Sequence, residues 1–507
     1  MKKSFALPLL LGILTLVPLA AMAQDNDPFE DDPFSAQQNS MRRQPSRNAG
    51  TWRPSTYSDQ MAMLEAMAKA QIKRSLKYRF ESVGTIGDGL HTPFWLSSNR
   101  QGLASATENS GYMRYGMFGE MLLPSGFGMK YGMDLGIGTG LQENWFVQQL
   151  YIDLGWKWLG MSMGMKERSD GLLNIDLSSG GLMYSGNCRP IPQIRIGSPE
   201  YVRLNILDNL FSLKGHVAYG IYTDGKWRGS DILAPYTDGI LHHSKDVFLK
   251  IGDADRFPLE LTMGVEAYSQ FGGTMHNRCY DENGELLEEY QLPHNLKAFG
   301  RILASSADGS TEDGKTLGNC LLSLDAIFQT WTVRAYYEHP FVSGTHGGEF
   351  TDGMLGMELN LPSNWPVRDI VVEYMDSPGI YNSLRYDSYS LNGLAIGSPV
   401  FISPVCDDVS GGRFRDSRVR MLHFGIDGGI GNRFDYALKL TSSHHDATGI
   451  SDGECDLLSA VASVCVLAGD DYSWKFGLSA GFDSDECNWL GDNKGLMLSI
   501  TKMWKTL

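Results

Sequence analysis

The stretch "LYIDLGWKWLGMSMGMK" runs from Leu150 to Lys166. Leu150, Ile152, Leu154, Trp156 and Trp158 place an apolar side chain at every second position. Met161, Met163 and Met165 then carry the rhythm on with the opposite parity, and Asp153, Gly155, Lys157, Ser162, Gly164 and Lys166 fall between. A strand changes parity only through a bulge or a turn. Leu159 and Gly160 lie at the switch, and Gly suits the positive φ of a tight turn. The pattern therefore predicts two antiparallel strands meeting near Trp158–Gly160, with their apolar side chains on one outer face. Trp156 and Trp158 would sit at the turn end, where an interfacial aromatic girdle belongs.

The same period of two recurs from Tyr78 onward. "YGMDLGIGT" sets Tyr131, Met133, Leu135 and Ile137 against Gly132, Asp134, Gly136 and Gly138. "LELTMGVEAY" sets Leu259, Leu261, Met263, Val265 and Ala267 against Glu260, Thr262, Gly264 and Glu266. "WTVRAYYE" (Trp331–Glu338) and "SWKFGLSAGF" (Ser473–Phe482) behave alike. Neighbouring strand residues point to opposite faces, so each run has one greasy face and one wet or small face. Longer polar stretches separate the strands at Asn277–Asn295, Ala304–Asn319 and Phe341–Gly353, and Asp376–Ser417 is irregular. Short turns alternating with long loops fit an outer-membrane barrel. A soluble propeller or sandwich also alternates, but no fixed repeat of about 40–50 residues is visible.

The N-terminus predicts export. Lys2 and Lys3 precede an apolar run, Phe5 to Leu19, and Ala21-Met22-Ala23 forms a small-x-small site. This reads as a signal peptide, residues 1–23, cleaved between Ala23 and Gln24. Residues 24–54 are polar, carry an acidic and then an arginine cluster, and read as a disordered linker. Residues 55–77 have the caps and spacing of one amphipathic helix, with Met61, Leu64, Ala68 and Ile72 on one face. Such a helix suits either a periplasmic plug at a barrel mouth or the membrane interface, and the sequence does not choose between them. Residues 78–507 are then the barrel. Beyond the leader there is no other run of 18 apolar residues, so a membrane-spanning chain of this kind must span with strands. A net charge of −16 disfavours nucleic acid as a partner.

The chemical motifs are weak. Gly477-Leu478-Ser479-Ala480-Gly481 matches a nucleophile elbow but lies inside an alternating strand. Gly136–Gly140 lacks the spacing of a dinucleotide fingerprint, and Asp281–Gly284 lacks that of a calcium loop. His242-His243 and His444-His445 are strand neighbours that point apart, so neither pair chelates alone. Of seven cysteines, Cys455 and Cys465 are the most plausible oxidised pair, and no zinc spacing appears. No catalytic, metal or cofactor site is expected on these grounds, and none is named for polysaccharide.

Several stretches carry a resemblance: "SGNCRPIPQIRI" (Ser185–Ile196), "KGHVAYGIYTDGKW" (Lys214–Trp227), "HHSKDVFLKIG" (His242–Gly252), "LTMGVEAYSQFGGT" (Leu261–Thr274) and "YYEHPFVSGTHGGEFTDGMLGMEL" (Tyr336–Leu359). With "VEYMDS" (Val372–Ser377) and "NGLAIGSP" (Asn392–Pro399), this ordered set resembles the Wzi capsule-assembly family of outer-membrane proteins. The resemblance implies an all-β, transmembrane antiparallel barrel of about 18 strands, its periplasmic mouth closed by N-terminal helices. It also implies a lectin-like, non-catalytic role in attaching capsular or surface polysaccharide. The expected partners are that polysaccharide, outer-membrane lipid and the barrel-assembly machinery, in a Gram-negative outer membrane. Two departures stand out: the linker before Ser58, and a chain ending on Leu507 where barrels often end on an aromatic residue. The rivals are an oligosaccharide channel and a barrel-based hydrolase using a carboxylate or Ser479.

Overall fold

A computed structural model describes residues 73–506, apart from 124, 169–171, 208, 231–234, 255, 281–284, 305–313, 343–350, 384, 407–411, 448–452, 470–471 and 488. The expected leader, linker and most of the expected helix lie outside the described residues, as does the stretch Asp281–Gly284. From Lys73 the chain is already strand, so residues 73–77, expected as the helix end, belong to the wall. Leu76, Tyr78 and Phe80 pair there with Gly119, Met117 and Tyr115, and sheet pairing outweighs local helix preference.

Eighteen strands form one antiparallel sheet. They are β1 (Lys73–Asp88), β2 (Ser110–Leu122), β3 (Phe127–Thr139), β4 (Trp145–Trp156), β5 (Leu159–Met165) and β6 (Gln193–Leu204). Next come β7 (Phe211–Ile221), β8 (Leu241–Gly252), β9 (Leu259–Phe271), β10 (Lys315–Ile327), β11 (Thr332–Val342) and β12 (Gly353–Asn360). The last are β13 (Val367–Pro378), β14 (Asp416–Ile430), β15 (Phe434–Ala447), β16 (Glu454–Ala468), β17 (Trp474–Asp485) and β18 (Asn493–Thr506). Each strand pairs with the next, and β1 pairs with β18 from Leu76↔Thr506 to Asp88↔Lys494. The sheet is closed and has no free edge.

Polarity is inverted relative to a water-soluble fold. Leu150, Ile152 and Met163 are exposed on the outside, as are Leu135, Leu355, Leu438 and Leu498. Arg114, Asp134, Glu338, Glu373 and His423 are buried on the inside. The turn end of the outer wall carries aromatics: Trp156, Trp331, Trp365, Trp474, Phe257 and Phe328 are all exposed. Tyr78 stacks on Trp504 with ring centroids 5.5 Å apart, and Phe328 on Trp331 at 4.0 Å.

The opening stretch forms the β4–β5 hairpin. Leu150 faces Met165, Ile152 faces Met163, and Trp156 faces Leu159. The parity slip is the two-residue turn Lys157–Trp158, which lets both strands keep their apolar residues outward. The turn thus lies slightly before the expected Trp158–Gly160. Its positive-φ residue is Lys157 (φ 57°), and Leu159 and Gly160 already belong to β5. Trp158 is a half-buried turn residue, while Trp156 stands outward in the aromatic belt.

Cys455 pairs with Cys487, not with Cys465. Cys455 and Cys465 share β16, and ten residues of extended strand hold them roughly 33 Å apart. The wall brings the loop end of β16 beside β17, and Cys487 follows directly after β17.

The outward face of β4 sets a first test. Leu150 lies mid-strand and is 56% exposed. Leu150→Arg should destabilise the barrel in liposomes by about 2–4 kcal/mol, measured by urea unfolding. Wild-type stability in that variant would mean that this face does not meet lipid.

Candidate functional site

The two ends of the barrel differ. Short connections such as 157–158, 328–331 and 431–433 lie at the end that holds Lys73 and Thr506. The long connections 89–109, 166–192, 222–240, 272–314 and 379–415 lie at the other, the loop end. Segments of these loops fold into the bore. Leu173, Leu182, Met183 and Ile191 pack with Tyr386, Tyr389, Ile396, Val400 and Phe401, and with wall residues Tyr336, Met354 and Met375. The apolar core of the molecule is therefore inside the barrel and made of loop.

Wall carboxylates hold this filling in place. On three adjacent strands, Glu338, Glu358 and Glu373 point inward and are almost wholly buried. Glu338 accepts the backbone N–H of Leu182 at 2.9 Å, and Glu358 accepts the Asn174 amide at 3.0 Å. Glu373 accepts the Ser179 N–H at 2.8 Å, the Ser178 hydroxyl at 2.6 Å and the Tyr336 hydroxyl. His423 Nε2 donates to the Leu177 carbonyl at 2.7 Å, and its Nδ1 lies 2.8 Å from Thr441 Oγ1. A buried carboxylate is tolerated where such donors replace water.

A second network joins the loops to β1–β4. Arg114 pairs with Glu81 at 2.9 Å, Asp134 at 3.2 Å and Glu167 at 2.8 Å, and Arg79 also pairs with Asp134. Gln148 donates to Glu167 and to the Gln101 carbonyl, so one amide ties loops 89–109 and 166–192 together. Burial raises the Glu167 pKa, but Arg114 and Arg79 outweigh it and hold the group below the usual carboxylate range. Burial, aided by the Asp224 carboxylate, pushes the Cys188 thiol up to about 12.

At the loop end a small cleft of about 60 Å³ lies between loops 89–109 and 379–415 and the wall β15–β18. His91, Phe94, Asn187, Phe401, His445 and Asp483 are among its lining. Trp95 donates to Thr441 at 2.9 Å, and the Phe94 N–H donates to Asp483 at 2.9 Å, which seats the short helix α1 (Phe94–Ser97) against the wall. The surrounding face offers aromatic planes beside cations. Tyr236 stacks on His276 at 4.5 Å, Arg415 lies over Trp489 at 4.8 Å, and Trp145 is 74% exposed.

Sequence-level motifs fare as their contexts demand. Ser479 lies within β17, where it accepts a hydrogen bond from the Ser463 hydroxyl at 2.8 Å, so the elbow motif is a strand. Gly136–Thr139 is strand and Gly140 the turn that follows. In each histidine pair the two rings face opposite sides of the wall: His445 is fully buried inside, and His444 faces outward.

The wall also assembles a constellation that no local motif announces. Ser244 Oγ lies 3.2 Å from His216 Nε2, and His216 Nδ1 lies 2.7 Å from Asp246 Oδ1. Ser244 and Asp246 are on β8, and His216 is on β7. The distances are those of a hydrolytic triad. Two features disarm it. Arg195 Nη2 sits 2.8 Å from the same Nδ1, so the imidazolium that a general base must become would face a guanidinium at contact distance. Ser244 is also only 4% exposed, with no room for an acyl group. A fluorophosphonate probe should therefore leave the native protein unlabelled, as read by mass spectrometry of the Ser244 peptide. Labelling that disappears in Ser244→Ala would reverse this conclusion.

The wall carboxylates yield a further expectation. Glu338→Leu with Glu373→Leu leaves several buried donors unmatched, at roughly 1–3 kcal/mol each. Limited proteolysis should then cut within residues 172–182, which the wild type protects. Equal protection in the double variant would show that the filling is held by apolar contacts alone.

No protein-family model matches the chain, and no curated protein does. Among solved structures it is similar to Wzi, an outer membrane protein involved in group 1 capsule assembly in Escherichia coli, described as a carbohydrate-binding β-barrel. That match has a TM-score of 0.54 and 12% identity and covers 89% of each chain. It is also similar to OprD of Pseudomonas aeruginosa (TM-score 0.47, 8% identity, 86% of this chain and 97% of that one). A third is OpdL of the same organism (TM-score 0.46, 10% identity, 86% and 99%). The fold is that of an outer-membrane-type barrel with eighteen strands.

Proposed function

We propose that this protein is a non-catalytic outer-membrane barrel that binds capsular or other surface polysaccharide at its loop end and holds it at the cell exterior. The observation that carries this reading is the filled bore. Loops 166–192 and 379–415 supply an apolar core inside the wall, the first of them held by Glu338, Glu358 and Glu373, so the described interior offers packing where a channel needs water. The surface left for recognition is the loop face. Its stacked aromatic and cationic groups match the chemistry of sugars, whose C–H faces lie on aromatic rings and whose hydroxyls take hydrogen bonds. The carbohydrate-binding description of the similar Wzi barrel supports the same class of ligand. On this reading the apolar belt meets outer-membrane lipid, and the barrel-assembly machinery inserts the chain.

Deletion of the gene should lower cell-bound polysaccharide and raise the shed fraction, both measured by immunoblot of cells and medium. Unchanged retention would remove the capsule role. Purified protein in planar bilayers should show no steady ion conductance, whereas an oligosaccharide channel would conduct. Trp489→Ala should weaken binding of the isolated polysaccharide about tenfold, roughly 1.4 kcal/mol, by calorimetry.

A further inference from the structure

We infer that His444, Asp446 and Glu454 form a divalent metal site of the Zn²⁺ class on the outer rim of the barrel, oriented by Asp456. In the β15–β16 ladder His444 lies opposite Asp456, and Asp446 lies opposite Glu454. Residues two apart on a strand share a face, so the four side chains form one square patch at the loop end of the wall. His444 Nδ1 lies 2.7 Å from Asp456 Oδ1. A proton on Nδ1, donated to that carboxylate, leaves the lone pair on Nε2. This is the carboxylate–histidine–metal arrangement that fixes the tautomer of a ligating imidazole.

The lone pair is aimed at two more carboxylates. Nε2 lies 3.3 Å from Asp446 Oδ1 and 3.8 Å from Glu454 Oε2, and the three ligand atoms lie within 4.8 Å of one another. Nε2 is closed off from solvent and makes no hydrogen bond. An imidazole nitrogen and two carboxylate oxygens gathered this closely offer a ligand set that a cation in their midst would join. Zinc bonds of about 2.0–2.2 Å in a tetrahedron set neighbouring ligands roughly 3.4 Å apart, close to the separations found. One imidazole with two carboxylates suits Zn²⁺ better than Ca²⁺ or Mg²⁺, which take oxygen throughout. Glu454 and Asp456 are largely exposed, so the ion can enter from water. Arg420 Nη2 stands 3.8 Å from Asp446 Oδ1 and is the resident competitor. A bound ion would tie together the ends of β15 and β16 on either side of residues 448–453.

The test is Zn²⁺ binding to the full-length protein in detergent, under oxidising conditions that keep Cys455–Cys487 closed. Wild type should bind one equivalent by calorimetry and gain thermal stability. His444→Ala and Glu454→Gln should each abolish that equivalent, and Asp456→Asn should weaken it at least tenfold. Heat-modifiable mobility on gels confirms that each variant folds, and Glu454, being exposed, serves if His444→Ala does not. No binding by wild type, or full binding by a folded His444→Ala or Glu454→Gln variant, overturns the assignment.

Discussion

Everything in this molecule follows from an apolar outer wall on a sheet that has no free edge. In hydrocarbon each unpaired backbone N–H or C=O costs several kcal/mol, so the sheet cannot have an edge. The β1–β18 ladder removes the edge by joining the two ends of the chain's strand order. Closure then divides the side chains by parity into one set facing outward and one facing the bore. The apolar set at Leu150, Ile152 and Met163 is therefore outside, and polar groups such as Arg114 and Glu373 are inside.

That inversion creates a second problem, which the loops solve. A bore lined with carboxylates would be filled by water or by something else with donors. Here the donors are the backbone of 172–182 and the hydroxyls of Ser178 and Tyr336. Once the polar lining is matched, the loop side chains bury one another and make a hydrophobic core at the centre of a membrane barrel. The same economy operates once on the outer face. Helix α2 (Leu296–Leu303) lies against the outside of β7–β9, where Phe299 packs on Phe271 and Tyr219. Lys245, an outward residue of β8, donates to the carbonyls of Ile302 and Leu303 at the helix C-terminus. A cation that would be costly against lipid is thereby answered by the negative end of a helix.

The wall was legible in the sequence because its signal is local. A period of two needs only about ten consecutive residues, and "YGMDLGIGT" or "SWKFGLSAGF" states it without help from the rest of the chain. The hairpin at Lys157–Trp158 was legible to within two residues, since a parity slip marks a turn but not its geometry. What fills the bore was not legible. Glu338, Glu358 and Glu373 look like ordinary polar-face residues, and only the register of β11–β13 gathers them around one loop. The Cys455–Cys487 pair and the Ser244–His216–Asp246 cluster failed to show for the same reason, being set by neighbouring strands.

Ligand-binding chemistry on such a scaffold is therefore found across ladders rather than along segments. A strand places residues two apart on one face, and its neighbour supplies the facing pair, so four side chains meet wherever two strands run side by side. Whether a patch becomes a site depends on what else touches it. At His216 an arginine occupies the nitrogen that a base would need, and the serine has no open side. At His444 the carboxylate of Asp456 takes one nitrogen and leaves the other facing two exposed-side oxygens. The backbone geometry is the same in both places. Chemistry separates them: at His216 a guanidinium occupies the imidazole's neighbourhood, whereas at His444 the neighbours are carboxylates, which suit a cation among them.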